Sequence, residues 1–337
     1  MFARCGGLEG QSHIMAPQSL CLRVQRITPE AEGIHSYELV CPEGRALPAF
    51  EAGSHVEVQV PGGYTRHYSL CNDPEETHRY VIAVQRDERG RGGSRAMHTQ
   101  VREGDLLGVA PPRCDFPLLY ARGYVLVAGG IGITPLLAMA RVLQRQPAPW
   151  HLHYCTRSPE RTAFRELLAS PAFAGHVSVH HDGGEPTRAL DLKQLLATRA
   201  PGTRLYGCGP APLMRAMRQA CNHHGWPREK VHFEAFSAEG AGAIGAQADS
   251  AFEVIVRSTG ACLAVPPGHS VLQVLRSNGL RVPSVCETGT CGACLTPVLE
   301  GDPEHRDTYL PEAQRAARRT MLVCVSRARS RSLVLDL

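Results

Sequence analysis

Four cysteines near the C-terminus have the side-chain type and the spacing that bind iron. Cys286, Cys291 and Cys294 form the pattern C-x4-C-x2-C, and Cys324 follows after a further 29 residues. This is the ligand spacing of a plant-type [2Fe–2S] centre, and soft thiolates select such clusters over hard cations. Structural zinc is the alternative, but zinc sites favour paired short C-x2-C knuckles. The spacing therefore predicts a one-electron iron–sulfur centre.

Two glycine turns in the middle of the chain have the form of a dinucleotide site. The first, GGIGITP from Gly129 to Pro135, follows a buried strand, and its glycines let the backbone approach a phosphate at a helix N-terminus. Thr134 is suited to cap this helix and Pro135 to occupy its first position. Proline stands where the Rossmann fingerprint has its third glycine, so a standard dehydrogenase motif is not predicted.

The second turn, Cys208-Gly209-Pro210, ends a later strand of the same predicted sheet. Ligands bind at the carboxyl ends of parallel strands, so the two turns are expected to lie together. A nicotinamide nucleotide is predicted to bind at five of these residues: Gly130, Gly132, Thr134, Gly209 and Pro210. Cys208 is either a plain buried thiol or a residue that borders the reacting nicotinamide ring.

A third group of residues has the chemistry of a flavin site. In the run RHYSL, Arg66 can pair with a phosphate, Tyr68 can pack on an isoalloxazine ring or ribityl chain, and Ser69 can donate a hydrogen bond near flavin N5. Gly92, Gly93 and Ser94 form another glycine-rich helix start that suits a phosphate. The alternative is an ordinary strand with an edge arginine and a glycine hairpin.

The elements that must position these residues divide the chain into three units. Short alternating strands over residues 19–117 predict an antiparallel β-barrel, with a strand at His67–Leu70 and one helix at Ser94–Val101. Strands alternating with helices over 118–236, including a helix at Pro159–Leu168, predict an α/β domain with a parallel sheet. Small residues over 237–250 predict a linker, and 251–337 predict a β-grasp-like α+β domain with a strand at Leu322–Val325. Residues 1–18 are expected to be a disordered extension, with Met15 as an alternative start.

Bulk properties exclude several classes of protein. The 337 residues are 43% hydrophobic and 20% charged, and the net charge of +4 gives no support for nucleic-acid binding. The N-terminus lacks a signal-peptide pattern, and no apolar run approaches the roughly 20 residues that span a bilayer. The 13 cysteines are an odd number and fit a reducing cytoplasm. The arginine-rich stretch 315–331 is either a solvated face or a positive docking edge near the cluster.

The motifs Arg-x-Tyr-Ser-Leu, Gly-Gly-Ile-Gly-Ile-Thr-Pro, Cys-Gly-Pro and the cysteine run occur in that order. From about Ser19 to the C-terminus, the chain resembles the phthalate dioxygenase reductase family, the flavin- and iron–sulfur-containing reductases of Rieske oxygenases, which include vanillate O-demethylase reductases. The resemblance implies FMN rather than FAD, with its phosphate on Arg66, Gly92, Gly93 and Ser94. It also implies NADH. Arg157 instead favours NADPH, because an arginine after the second strand would accommodate the 2′-phosphate of this nucleotide.

The expected function is therefore electron transfer. Hydride would pass from NADH to FMN, with Ser69 and Cys208 as catalytic residues, and single electrons would pass through the cluster to a Rieske-type aromatic oxygenase or O-demethylase. We expect a cytoplasmic monomer that binds neither nucleic acid nor membrane. The alternatives are a general NAD(P)H diaphorase or flavin reductase, a reductase for another acceptor such as a cytochrome, and a carrier with a vestigial flavin domain. The intact flavin and nucleotide motifs argue against the last.

Overall fold

The computed structural model describes residues 19–88, 90, 92–234, 249–280, 282–283, 289, 292, 294–307 and 309–337. These residues form one seven-stranded sheet, two five-stranded sheets and a two-stranded ribbon. The predicted combination of an antiparallel barrel, a parallel α/β sheet and an α+β unit is confirmed. The predicted extension over 1–18 and residues 237–248 of the predicted linker lie outside the described residues.

The first sheet is the barrel, and all of its strand pairs are antiparallel. Its order is β4-β3-β6-β1-β2-β5 with β7 also on β3, and a bridge between Leu70 and Ile82 joins its two ends. In β3 every second side chain faces the core, so that Val56 and Val58 are fully buried. The elements are β1 (Leu20–Ala31), β2 (Ile34–Val40), β3 (Ser54–Val60), β4 (Tyr64–Ser69), β5 (Arg79–Gln85), α1 (Gly93–Gln100), β6 (Leu106–Val109) and β7 (Arg113–Cys114).

The barrel differs from the prediction in its shortest strands. Strands β6 and β7 were not predicted, because runs of four and two residues are too short to show an alternating pattern. The strand predicted at His67–Leu70 begins instead at Tyr64, where Tyr64 already pairs with Val60. The helix predicted at Ser94–Val101 is present one residue earlier.

The second sheet is entirely parallel, in the order β10-β9-β8-β11-β12. Because β8 and β11 are neighbours, the glycine turns that follow them meet at one edge of the sheet, as the sequence predicts. The strands are β8 (Gly123–Gly129), β9 (Trp150–Thr156), β10 (Val177–His181), β11 (Thr203–Cys208) and β12 (Val231–Glu234). The helices are α2 (Ile133–Leu143), α3 (Arg165–Leu168), α4 (Leu192–Ala197) and α5 (Ala211–His223).

The helix predicted over Pro159–Leu168 is wrong. A 3₁₀ turn at Pro159–Arg161 is followed by Phe164 in the left-handed conformation at φ 57°, and only the single turn of α3 is α-helical. Phe164 turns its ring into the core beside the fully buried Ala163. The Thr162 hydroxyl donates to the Ser158 carbonyl at 2.9 Å and so connects the two ends of the 3₁₀ turn. Tertiary packing of Phe164 therefore overrides the helical pattern.

In the described residues, the barrel and the parallel sheet share one apolar core and are also joined by ion pairs. Ile34, Ala52 and Cys71 of the barrel region pack in the same cluster as α2. Arg145 holds both carboxylate oxygens of Asp73, at 2.5 and 2.9 Å, across this boundary. A second bidentate pair joins Arg161 to Glu32 at 3.2 and 3.0 Å. The flavin-type and nucleotide-type motifs are thus parts of one packed body.

The third sheet has the order β14-β13-β19-β15-β17, and its core also contains Cys294 and Cys324. Helix α6 begins with a capping box between Ser270 and Gln273. The elements are β13 (Phe252–Val256), β14 (Cys262–Val265), α6 (Val271–Ser277), β15 (Leu295–Glu300), β16 (Pro303–Glu304), α7 (Glu312–Ala317), β17 (Thr320–Leu322), β18 (Arg327–Ala328) and β19 (Ser332–Leu335).

Two features of this unit differ from the prediction. The strand predicted at Leu322–Val325 ends at Leu322, because the N–H groups of Val325 and Ser326 both turn back to the Leu322 carbonyl. Cys324 therefore lies in a turn. The arginine-rich stretch begins within the unpredicted helix α7, and its Arg327 is buried at 4% exposure and donates to the His269 and Ser250 carbonyls. The stretch is therefore not a uniformly solvated face.

None of the helices in the described part of the chain has both the length and the apolar character that a bilayer span requires.

Candidate functional site

The predicted flavin-phosphate residues meet where β4 lies against the start of α1. A Cβ added to Gly93 would stand 2.6 Å from Nε of Arg66, so the guanidinium occupies the space that a side chain would need. Gly92 has φ +92°, and a Cβ there would stand 2.7 Å from the Tyr64 hydroxyl. The Arg66 guanidinium also lies over the Tyr64 ring, 5.2 Å from its centroid. Ser94 accepts a hydrogen bond from the Asp87 backbone at 3.1 Å, which fixes the loop. A guanidinium beside a helix N-terminus fits a phosphate.

Tyr68 and Ser69 continue the same strand toward the parallel sheet. The Tyr68 hydroxyl is covered and has no hydrogen-bond partner among the described residues. Burial raises the pKa of this phenol to about 12, so the hydroxyl is a donor at neutral pH. Ser69 is only 4% exposed. A covered polar group without a partner costs free energy unless something else binds it, which fits a ligand between Tyr68 and Arg66.

The two glycine turns of the predicted nucleotide site touch each other. A Cβ on Gly132 would stand 2.3 Å from the Cys208 carbonyl oxygen and 2.7 Å from the Gly209 nitrogen. A Cβ on Gly209 would stand 3.0 Å from the Gly129 backbone. Pro210 precedes helix α5, as predicted. These glycines are required because the two backbones approach more closely than any side chain permits.

The role predicted for Thr134 as a helix cap is wrong. Helix α2 begins at Ile133 with Gly132 as its N-cap, so Thr134 and Pro135 are the second and third helical residues. Thr134 is buried and donates its hydroxyl to the Ile131 carbonyl at 3.1 Å. A 3₁₀ turn at Gly130–Gly132, with Gly130 at φ +52°, supplies the bend instead. The Thr134 hydroxyl therefore stabilises the 3₁₀ turn through this hydrogen bond.

Cys208 is completely buried, and burial raises the pKa of its thiol well above the ordinary value. Its neighbour across the β11–β12 pair is Glu234. One carboxylate oxygen of Glu234 is covered and lacks a hydrogen-bond partner among the described residues. Burial, together with the negative charge of Asp115, raises the pKa of Glu234 to about 8. At neutral pH this carboxyl is therefore mostly protonated, although the residue as a whole is half-buried.

Three ionisable side chains, those of His55, Asp115 and Glu234, lie near the two predicted catalytic residues. Ser69 pairs with His55 across β3 and β4. His55 Nε2 lies 4.0 Å from Asp115 Oδ2. The negative charge of Asp115 contributes to the raised pKa of Glu234, which is the strand partner of Cys208. Burial lowers the pKa of His55, so the imidazole is neutral at neutral pH. Sequence reasoning missed His55, Asp115 and Glu234. The acid at the end of β12 was available as a signal, since it ends a strand at the same sheet edge as both turns.

The cysteine ligands are described only in part, because Cys286 and Cys291 lie outside the described residues. Cys294 and Cys324 are 2% and 7% exposed and share the core of the third sheet. The antiparallel pair of β15 and β17 brings them together, and the Val323 N–H donates to the Cys294 carbonyl at 3.4 Å. Two buried thiols on adjoining turns fit the thiolate set of a [2Fe–2S] cluster.

The end of β9, where Arg157 was predicted to bias the choice of nucleotide, is a compact polar turn. The Thr156 hydroxyl contacts Thr162 Oγ1 at 2.8 Å and His181 Nδ1 at 3.0 Å. The Arg157 carbonyl accepts the Gly183 N–H at 2.9 Å, while the residue itself is exposed. The arginine therefore stands at a strand end where a ribose could be read.

Comparison with protein families identifies the third unit. The model of the 2Fe-2S iron-sulfur cluster binding domain matches residues 254–329, a range that includes all four predicted cysteine ligands.

Comparison with whole proteins extends the similarity to nearly the entire chain. The phthalate 4,5-dioxygenase oxygenase reductase subunit of Pseudomonas putida is 47% identical over 94% of this chain and 96% of its own length. A solved phthalate dioxygenase reductase, described as modular for electron transfer from pyridine nucleotides to [2Fe-2S], is 44% identical with a TM-score of 0.68, covering 95% of this chain and 98% of that one. An intact type IV self-sufficient cytochrome P450 monooxygenase is 36% identical with a TM-score of 0.68, covering 97% of this chain and 43% of that one.

Proposed function

We infer that this chain, which belongs to the phthalate dioxygenase reductase family, is the reductase component of an oxygenase system. The observation that carries the proposal is the contact between Gly132 and Cys208, because it unites two glycine turns at one strand edge. The flavin-type residues and an iron–sulfur unit are parts of the same chain. When bound, a flavin would supply both two-electron and one-electron chemistry and the [2Fe–2S] cluster one-electron chemistry, so that the two electrons of a nicotinamide hydride could leave one at a time and its hydrogen as a proton.

The flavin we propose is FMN, held by Arg66, Gly92, Gly93 and Ser94 at its phosphate. The closeness of the Arg66 guanidinium to the Gly93 backbone supports a phosphate at this position, and the choice of FMN rests on the family resemblance. Tyr68 would donate to the flavin its hydroxyl, which has no partner in the described part of the chain, and Ser69 would lie on the side of the nucleotide turns. Heat-released flavin distinguishes the cofactors by chromatography: FMN is expected, and FAD would refute the assignment.

NADH is the electron donor that we propose, bound over Gly130, Gly132, Thr134, Gly209 and Pro210. The α2 N-terminus would face the pyrophosphate. Arg157 supports NADPH as the second candidate, since a guanidinium at this strand end suits a 2′-phosphate. Steady-state reduction with each nucleotide in parallel decides between them through the ratio of the two kcat/KM values.

Cys208 and Ser69 would shape the reacting site without forming covalent bonds to the cofactors. A thiol with a raised pKa stays neutral, so Cys208 would exclude water and limit the position of the nicotinamide ring. Glu234 would hold a proton at its covered oxygen beside this ring. A neutral carboxyl there avoids placing a bare charge in the closed site.

The acceptor that we propose is a separate Rieske-type oxygenase, with the reductase acting as a cytoplasmic monomer. The cytoplasm supplies NADH and a reducing environment for thiolate ligands. A cytochrome is the second candidate, because this chain covers 43% of a self-sufficient cytochrome P450 monooxygenase with the same TM-score as the reductase. Rates of reduction of a Rieske oxygenase and of a bacterial cytochrome P450 by the same preparation separate the two proposals.

The proposed order of electron transfer is tested by Cys291→Ser, with Cys262→Ser as the matched control. Cys262 is an exposed cysteine of the same domain and is outside the ligand pattern. We expect Cys291→Ser to keep NADH-dependent dye reduction within about twofold but to lose reduction of the oxygenase by at least about a hundredfold, as for loss of a metal ligand. Cys262→Ser should retain both. Full oxygenase turnover by Cys291→Ser would refute the proposed order.

A further inference from the structure

We propose that Asp307 is a positioning residue that ties Gly289 and Gly292 of the cysteine pattern to the turn of Cys324. This inference rests on the [2Fe–2S] centre of the proposed function and concerns how the protein shapes it. The Asp307 side chain is completely buried. Its Oδ2 accepts the N–H groups of Tyr309 at 3.1 Å and Leu310 at 2.8 Å, and its Oδ1 accepts the Ser326 hydroxyl at 3.3 Å. One carboxylate thus ties its own turn to a second chain segment.

Arg315, from helix α7, completes the turn. Its Nη2 donates to the Asp307 carbonyl at 2.6 Å and its Nε to the Leu310 carbonyl at 2.9 Å. The same guanidinium lies 3.8 Å from Asp307 Oδ2, and the His305 ring lies 3.6 Å from Oδ1. A buried carboxylate with this number of donors is held in a single orientation.

The turn of Asp307 packs directly on these two glycines of the cysteine pattern. Gly289, between Cys286 and Cys291, has φ +72°, and a Cβ there would stand 3.0 Å from the Asp307 Cα. Gly292 has φ +80°, and a Cβ there would stand 2.2 Å from the Tyr309 ring. The side-chain space of Gly289 is therefore taken by Val325 and Asp307, and that of Gly292 by Tyr309, whose N–H bonds to Asp307.

The other end of the connection reaches Cys324. Ser326 follows Cys324 by two residues, and its N–H donates to the Leu322 carbonyl at 2.9 Å within the turn that contains Cys324. The Ser326 hydroxyl donates to Asp307 and accepts the Arg306 N–H at 3.3 Å, so it is fixed from both sides. Asp307 thereby links Gly289 and Gly292 to the turn of Cys324, in addition to the backbone bond between Val323 and Cys294. Residues that orient metal ligands in this way affect metal affinity without touching the metal.

The variant Asp307→Asn tests this role in the full chain, because it keeps the size of the side chain but removes the charge and one acceptor. Asp336→Asn, at an exposed position of the same domain, is the chemical control. Val254→Ala, at a fully buried core position, is the control for lost stability. The measurements are iron and sulfide per chain, the electron paramagnetic resonance spectrum after dithionite reduction, and the rate of iron release to a chelator.

We expect Asp307→Asn to release iron about tenfold to a hundredfold faster than the wild type, with altered g-values. Asp336→Asn should stay within about twofold, and Val254→Ala should lower the melting temperature without altering the g-values. Ser326→Ala, which removes one link, should accelerate release about fivefold, the factor that one ordinary hydrogen bond accounts for. If Asp307→Asn does not fold, the Ser326→Ala result decides.

Two outcomes overturn the proposal in distinguishable ways. Wild-type release rates and g-values in both Asp307→Asn and Ser326→Ala would refute the positioning role while leaving the cluster in place. A wild-type protein that takes up no [2Fe–2S] cluster would refute the proposed function together with this inference.

Discussion

Gly132→Ala tests the contact on which the proposed nucleotide site depends. The added Cβ would stand 2.3 Å from the Cys208 carbonyl oxygen, whereas real Cβ contacts do not fall below 3.0 Å. The two turns must therefore separate by at least 0.7 Å, the difference between 3.0 and 2.3 Å. Both neighbours, the Cys208 carbonyl and the Gly209 nitrogen, are backbone atoms, so no flexible side chain can absorb the strain. We expect a loss of about 1–3 kcal/mol in the free energy of unfolding, as for an overpacked site.

The catalytic effect of Gly132→Ala should exceed its effect on stability. A displacement of about 1 Å can cost about a hundredfold in rate, so a movement of 0.7 Å or more predicts a tenfold to hundredfold lower kcat/KM for NADH. The assay is NADH-dependent ferricyanide reduction at known flavin content. Gly123→Ala is the control, because it lies at the opposite end of β8 and its Cβ would be 3.3 Å from Thr203 Oγ1. Wild-type kcat/KM and stability in Gly132→Ala would refute the proposed contact of the turns.

Two further predictions concern covered polar groups. A folded-state pKa of about 8, against 4.5 for the ordinary carboxyl, means that the unfolded chain ionises Glu234 first, so stability falls as the pH rises from 4.5 to 8. At about 1.4 kcal/mol per pH unit, the loss of stability reaches about 5 kcal/mol. In urea unfolding, Glu234→Gln should therefore be as stable as the wild type below pH 4.5 and more stable by up to that amount above pH 8. Parallel pH profiles of the two proteins would contradict the raised pKa. Tyr68→Phe removes a covered hydroxyl without a partner among the described residues, so the flavin-free protein should gain about 1 kcal/mol in the free energy of unfolding. Fluorescence titration should show that flavin binds about tenfold more weakly. Unchanged flavin affinity would contradict the proposed hydrogen bond.

The fold was predictable where a periodic pattern extended over several residues. The sequence pattern predicts a helix at Ala211–His223 and a strand at Phe252–Val256, and α5 and β13 have these bounds, because an apolar face of period 3.6 or 2 marks both of their ends. The helix expected at Pro159–Leu168 failed because Phe164 packs its ring into the core at a positive φ, which a local pattern does not contain. Strand β7 has two residues and depends on its partner β3 for its existence.

The site was predictable in its glycines but not in its buried charges. Gly132 and Gly209 lie in motifs of fixed spacing, and the structure brings them into contact. Glu234 and Asp307 stand in no motif, because their roles arise from strand pairing and from turns that are distant in sequence. The prediction of Thr134 as a cap failed because it set the helix start at Pro135, two residues too late, and did not include the 3₁₀ turn before the helix.

The two buried carboxyl groups show how one chain separates reactivity from positioning. Asp307 has donors on both oxygens and a guanidinium beside it, so its burial is compensated and its orientation is fixed. Glu234 has a covered oxygen without a partner in the described chain, and its burial destabilises the fold above pH 4.5. A cost of this kind persists where a site requires it, and Glu234 lies beside Cys208 at the edge where the nucleotide turns meet. In the proposed function, Asp307 would therefore set the geometry of the cluster and Glu234 would act at the proposed nicotinamide site, and substitutions at the two positions should change different steps.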